Sequence, residues 1–455
     1  MMLAPPPADT ATITVATSSP GATVPPDFLG FSYEVSALKD AQLATPSYAT
    51  AAALLGPGIV RVGGNSVDES TWSPSPAAGD DSDLTGTDFD RLITFAQQAG
   101  WTAYLGINLA TFAPDTFAAE AAYAAARPGA SSVLTAVEIG NEPDLFAGSV
   151  RSTGYNGDSI AAEYFAYDTA LARLAPALPR IGPAMCCRLT DYTQFLSANG
   201  AASLALLTYH QYPTAANDTT SPSSTGYPSI ANLLSAALMA RSAAIVDTVV
   251  AGAHARGLAL RMAESNSTAD GGRHGVSDVF ASALWGLDWM YTVAEHGAVG
   301  VNFHGSPAGG IYSPLVDSAT VIARPLFYAM LAFHSGAAGA LVPTTVTAKT
   351  NVVAHATLAT DGTLRVTVIN KDTLNTLLVR ITPAATYRSS AYQFLMASVA
   401  PGAAHASTGI TFAGASVSGS GTWQPGTPGG LQKSGGTFTL PFMPAASAVV
   451  ITFSP

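Results

Sequence analysis

Two glutamates stand where short apolar runs give out. Glu142 follows the run 133–140, in Asn141-Glu142-Pro143, and Glu264 follows the run 258–263, ahead of Ser265-Asn266. Hydrolysis of a glycosidic bond with retention needs such a pair. One carboxylic acid protonates the leaving oxygen and one carboxylate attacks the anomeric carbon, the two about 5–5.5 Å apart. Other polar residues end similar runs: Tyr33-Glu34, Gly63-Gly64-Asn65-Ser66 with Arg61 just inside, Asn108, Tyr209-His210-Gln211-Tyr212, and Asn302-Phe303-His304-Gly305. In a chain that is only 11% charged, polar groups at nearly every run end are what a polyhydroxylated ligand requires.

These positions imply a scaffold. Apolar runs at 28–35, 59–64, 102–109, 133–140, 180–185, 206–212, 258–263 and 298–304 alternate with helix-like segments. Eight such repeats predict an α/β chain folded as a (β/α)8 TIM barrel. A doubly wound open sheet would show a Gly-rich phosphate loop after its first strand, and none is present. In a parallel barrel the strand C-terminal ends form the site, and the ends of strands four and seven face each other across its mouth. Strand alternation predicts that Glu138, Gly140 and Glu142 share one face, and that Leu260, Met262 and Glu264 share another. From about residue 341 the pattern becomes short strands, 352–358, 364–370, 377–382, 409–412, 437–440 and 448–453, joined by Gly, Ser, Thr and Pro. That pattern predicts a C-terminal all-β sandwich, joined by an N-terminal strand at 12–17. The expected organisation is therefore 1–25 as a strand of the sandwich, 26–340 as the barrel and 341–455 as the sandwich, with 416–436 a long loop or hairpin.

The ordered set Gly30-Phe31-Ser32-Tyr33-Glu34, Arg61-Val62-Gly63-Gly64-Asn65-Ser66, Glu138-Ile139-Gly140-Asn141-Glu142-Pro143-Asp144 and Ala263-Glu264-Ser265-Asn266-Ser267 resembles glycoside hydrolase family 79. That family holds β-glucuronidases and heparanases within the retaining TIM-barrel clan, and the resemblance covers essentially the whole chain. It implies Glu142 as acid/base, Glu264 as nucleophile, Arg61 as the group that keeps the nucleophile ionised, and Asn141 as the ligand of the sugar 2-hydroxyl. It places Glu34, Asn65, His304, Gly305 and Tyr312 in the substrate site, with Tyr209 or Tyr212 supporting the nucleophile or stacking on the sugar. The Gly-rich loop 304–312 could hold a uronate carboxylate on backbone N–H groups, with Tyr312 as a hydroxyl donor. No Tyr stands in 267–272, just beyond the nucleophile, so a neutral sugar or disaccharide glycoside is the alternative substrate to a glucuronide. The resemblance implies no metal and no cofactor.

Composition bounds the remaining readings. A net charge of −11 argues against a nucleic-acid partner, whose phosphates demand clustered Lys and Arg, and against a heparanase-like basic cleft. With no polybasic run and no apolar stretch of about 18 residues, no membrane partner is expected. A non-catalytic sugar-binding barrel is disfavoured because both carboxylates are present. Gly157-Asp158-Ser159-Ile160 echoes an esterase serine motif but falls between strands four and five. The two cysteines, Cys186 and Cys187, are adjacent and lack metal-site spacing, so buried thiols are expected. The histidines show no HExxH or His-x-His pattern. Met1 leads into a Pro/Ala segment at 4–8, read as a mature domain restarted at an added Met. Abundant Ser, Thr, Gly and Ala suit a secreted or periplasmic enzyme.

Overall fold

Eight parallel strands close on themselves in chain order: β1 (Leu29–Glu34), β2 (Ile59–Gly63), β3 (Thr102–Ile107), β4 (Leu134–Ile139), β5 (Arg180–Met185), β6 (Leu204–Gln211), β7 (Leu260–Ser265) and β8 (Val301–Gly305). The architecture is a (β/α)8 barrel with a β-sandwich. It comes from a computed structural model that describes residues 7, 9–73, 83–219, 221–398 and 402–455. The segment at 4–8, Pro7 apart, lies outside the described residues.

The barrel interior is layered. At the bottom, Ile59, Tyr104, Ala136 and Ile181 form an apolar plug made by strands alone. Above it the interior turns ionic. Arg61, Glu138 and Thr208 are wholly buried and bonded to one another, and Arg261 reaches Asn302. A buried charge is tolerable when it is paired or well hydrogen-bonded: Arg61 is paired with Glu138, and Arg261 donates to Asn302 Oδ1 and to the Asp27 and Phe28 carbonyls.

One expectation about strand faces is corrected here. Leu260 and Met262 pack outward into the helix-side core, whereas Arg261 points inward. Glu264 nevertheless points inward, because the register slips between Met262 and Glu264 against β6 and between Met262 and Ser265 against β8. The slip inserts one residue and reverses the alternation. Glu142 lies beyond the end of β4, in left-handed backbone (φ 48°) after Gly140 (φ 73°), so the turn aims it rather than strand alternation.

The outer helices form for ordinary reasons. Gly86–Ala99 begins with a capping box, in which the Thr85 N–H donates to Asp88 at 2.8 Å, and it ends at left-handed Gly100. Its Phe89, Leu92, Ile93 and Ala96 recur at helical spacing and are buried, each large apolar side chain contributing about 1.5–3 kcal/mol. The supposed esterase motif opens the helix Gly157–Leu174, where Asn156 accepts from the Ser159 N–H; it is a helix start. The helix Ala236–His254 is long and apolar enough to span a membrane, contrary to the expectation of no such stretch. In the fold it lies in the barrel's outer layer, burying Leu238, Val246, Val249, Val250 and Ala253.

Two antiparallel-rich sheets make the sandwich. The first runs Thr344–Thr347, Asp9–Val15, Leu377–Pro383, Thr437–Met443, Gln432–Ser434. The second runs Ala340–Val342, Val352–Leu358, Leu364–Asn370, Ser447–Ser454, Ser389–Ala397, Ile410–Phe412. The N-terminal strand is internal to its sheet, antiparallel to Thr344–Thr347 and parallel to Leu377–Pro383. The helix Phe280–Glu295, buried along nearly its whole length, shares the contact between barrel and sandwich with the helix Pro325–Gly336. Its Asp288 accepts from Lys371 Nζ (2.6 Å) and meets His355 Nε2 (3.1 Å), while Tyr291 stacks on the His355 ring.

Candidate active site

Arg61 organises the barrel mouth from below. Its Nε donates to Glu138 at 2.6 Å, Nη1 to Glu264 at 2.6 Å and to Ser32 Oγ at 3.2 Å, and Nη2 to Asn141 Oδ1 at 2.9 Å. A rigid fork of five donors suits this task as a Lys would not. Glu138 in turn accepts from Thr208 at 2.6 Å. Burial opposes charge on Glu264, but His304, His210 and Arg61 facing it, with the Tyr212 hydroxyl donating at 2.8 Å, hold its carboxyl well below the usual carboxylate range. An ionised, oriented carboxylate is the state a nucleophile needs.

Glu142 sits across from it. Its N–H donates to Ala184 O, and His210 Nδ1 lies 2.9 Å from its Oε1. One carboxylate oxygen each of Glu142 and Glu264 and one ring nitrogen of His210 fall within 4.8 Å of one another. That spacing fits the short separation of a double displacement and is too small for the 6.5–9.5 Å pair that activates water directly.

The remaining residues named from the sequence divide clearly. Glu34, Asn65, Tyr212, His304, Gly305 and Tyr312 line the same cleft of about 780 Å³ as Glu142 and Glu264. Glu34 accepts the N–H groups of Asn65 (3.2 Å) and Ser66 (2.7 Å) and faces His304 Nε2 at 3.5 Å. Burial disfavours charge on His304, yet Glu264 and Glu34 on its two sides raise its pKa. Asn141 is buried, its amide oxygen held by Arg61 and its nitrogen donating to Asn65 at 3.1 Å; one amide hydrogen remains for a ligand. Tyr312 lies edge-on to His304, ring centroids 5.9 Å apart.

Tyr209 is a correction. It points to the helix layer, edge-on to Tyr192, and its hydroxyl donates to Cys186 O at 2.7 Å. Neighbouring strand residues face opposite sides, so with His210 inward Tyr209 must face out. The cysteines are a second correction. They form a disulfide with each other, Cys186 half-buried and Cys187 exposed. Asp144, grouped with them by proximity, accepts the N–H groups of Cys187 and Arg188 at 2.8 Å each, and bonded sulfurs are not metal ligands.

Two contributors, Asp68 and Asp144, do not stand out in the sequence. Asp68 accepts from Leu109, Ala110 and Asn141 N–H groups at 3.0–3.1 Å and so fixes the end of β4; its burial raises its pKa to about 6. Asp144 stands in the string Glu138–Asp144, yet nothing in the sequence separates it from a satisfied core residue. His210 reads from the sequence as a strand-end histidine suited to hydrogen-bonding a sugar, and the structure places its Nδ1 against Glu142.

No family model matches the sequence, and no curated protein does. Among solved structures, the chain is similar to a 4-O-α-L-rhamnosyl-β-D-glucuronidase from Fusarium oxysporum, with TM-score 0.81, 21% identity, and 97% of this chain and 100% of that one covered. It is also similar to a family 51 arabinofuranosidase from Xanthomonas axonopodis pv. citri (TM-score 0.70, 16% identity, 98% and 100% covered). A third is CelM2, a bifunctional glucanase-xylanase from a metagenome library (TM-score 0.65, 16% identity, 98% and 99% covered). At these identities the likeness establishes the shared fold.

Proposed function

We propose that this protein is a retaining exo-β-glycosidase acting first on β-glucuronides. One observation carries the reaction type: Glu142 and Glu264 stand within 4.8 Å across the barrel mouth, and Glu264 alone is clamped ionised by Arg61 and Tyr212. Glu142 donates its proton to the leaving oxygen while Glu264 attacks the anomeric carbon. Glu142, now a carboxylate beside His210, then deprotonates the water that releases the sugar from Glu264.

The glucuronide reading is supported by the resemblance to family 79 and by the full-length likeness to a protein described as a rhamnosyl-glucuronidase. The loop after β8 also supports it, since Gly305, Ser306, Gly309, Gly310 and Tyr312 line the cleft. Part of that loop is already committed. Ser306 N–H donates to Ser313 Oγ, and Ala308 N–H to Ser306 Oγ. The uronate would therefore be held by the 310–312 end of the loop.

A second reading, a neutral glycoside, is favoured by the charge of the cleft. Among the described residues it is lined by Glu34, Glu142, Asp218, Glu264 and Asp270 and by no Lys or Arg. Assay of 4-nitrophenyl β-D-glucuronide beside the β-D-glucoside separates the two. Turnover of the glucoside alone overturns the glucuronide assignment, and turnover of neither, nor of other β-glycosides, overturns the glycosidase reading. A secreted or periplasmic location is part of the proposal, and fractionation of the native host tests it.

A further inference from the structure

In a closed barrel with strands in chain order, β5 lies diametrically across the mouth from β1. Glu34, Asn65 and His304, on the ends of β1, β2 and β8, therefore define one wall of the cleft, and the segment after β5 defines the opposite wall. That opposite wall carries the Cys186–Cys187 disulfide, which lines the cleft beside Glu142. Leu145, three residues past Glu142, lines the same wall and is 45% exposed although it is large and apolar.

The disulfide is held from behind by buried groups. Asp144, 1% exposed, accepts the N–H groups of Cys187 and Arg188 at 2.8 Å each, and of Cys186 at 3.3 Å. Tyr209, also 1% exposed, donates its hydroxyl to Cys186 O. Two buried polar side chains are thus spent on fixing one dipeptide, half-buried at Cys186 and exposed at Cys187, that has no polar side-chain atom to offer a sugar. Resting on the glycosidase reading above, we propose that Cys186, Cys187 and Leu145 form the leaving-group subsite, and that it favours a flat apolar aglycone such as an aryl group.

Three physical points meet here. The acid must sit against the glycosidic oxygen, so the leaving group extends past Glu142, on the side where the disulfide and Leu145 stand. Paired sulfurs are polarisable and pack well against aromatic faces. A fixed apolar platform accepts a flat ligand with little ordering of its own side chains.

The test compares one sugar with two aglycones. kcat/KM is measured for the 4-nitrophenyl and the methyl β-glycoside of the sugar that the wild-type enzyme accepts. It is measured for the wild type, the C186S/C187S double variant, the wild type reduced with a phosphine, and Leu145→Ser, which leaves the disulfide loop intact. The intrinsic reactivity difference between the two leaving groups cancels in the ratio of ratios. The expected result is a fall of about tenfold in the aryl-over-methyl preference on losing the disulfide, and a smaller fall in the same direction for Leu145→Ser. An unchanged preference in both Leu145→Ser and the reduced enzyme, even with slower rates overall, overturns this inference and leaves the glycosidase reading standing. A wild type inactive on every β-glycoside overturns both.

Discussion

Arg61 donates to Glu264 at 2.6 Å from a position without solvent exposure, and the same guanidinium holds Glu138 at 2.6 Å. One cation thus serves two carboxylates of different kinds. Glu138 is sealed in the barrel, and Glu264 opens to the cleft. Arg61→Lys keeps the charge but cannot reach Glu138, Glu264 and Asn141 together. Its expected effects are a kcat lowered by about 10²-fold, comparable to losing one oriented donor in an active site, and a lower Tm. Arg61→Ala leaves two buried carboxylates facing each other and costs about 3–5 kcal/mol, which chemical denaturation measures directly.

Tyr212→Phe removes one hydroxyl donor from Glu264. That donor is among the groups keeping the carboxyl below its ordinary range, so its loss raises the Glu264 pKa. The acidic limb of the kcat/KM profile should move to higher pH, with a rate at the optimum lower by about 10-fold. An acidic limb that stays in place would show that the hydroxyl does not act on the nucleophile.

The two carboxylates are distinguished by small-anion rescue. Glu264→Ala and Glu142→Ala should each lose several orders of magnitude on an alkyl glycoside. Azide added to Glu264→Ala can take the place of the nucleophile and give the α-glycosyl azide. With a 4-nitrophenyl glycoside, whose leaving group departs without an acid, azide added to Glu142→Ala intercepts the enzyme-bound sugar and gives the β-azide. NMR of the products reads the anomer, and a swapped outcome would reverse the assignment of roles.

The barrel–sandwich contact predicts a pH-dependent stability. Burial opposes charge on His355, but Glu295 and Asp288 raise its pKa to about 9. A raised folded pKa contributes stability that is fully present below the unfolded value of about 6.5 and is lost as pH climbs through 9. Asp288, against its own burial, is held at about 2 by Lys371 and His355. Its contribution is present above about 3.9 and is lost as pH falls through 2. The Tm gap between the wild type and His355→Gln should therefore be widest near pH 5–6, worth about 3 kcal/mol, and should narrow steadily between pH 6.5 and 9.5. A gap that is flat with pH would mean that His355 acts through packing alone.

The barrel was legible because each strand is an apolar run closed by polar residues, and that alternation survives without knowledge of contacts. Glu142 and Glu264 stood out because a carboxylate at a strand end in so apolar a chain is expensive unless used. Alternation alone, however, misplaces Glu264. Strict alternation puts it outward with Met262, and only the slipped register after Met262 turns it in. A bulge of this kind leaves no residue-type signature. The same blindness hid which tyrosine faces the cleft, since Tyr209 and Tyr212 differ only in how β6 ends. Adjacent cysteines gave no hint of a bond, because the backbone that permits it is set by Asp144 and Tyr209 from other elements. His210 was visible as a residue, but its pairing with Glu142 depends on two strands that are not neighbours in the barrel.

The strand Asp9–Val15 lies between Thr344–Thr347 and Leu377–Pro383, so a segment that precedes the barrel is held between two that follow it. During synthesis Ala11, Ile13 and Val15, wholly or almost wholly buried in the finished molecule, emerge ahead of the barrel and find their partners only after the entire barrel has left the ribosome. The sandwich is accordingly not a detachable tail. No single cut in the chain frees it with all its strands, and a library built by trimming from either end should lose it in one step.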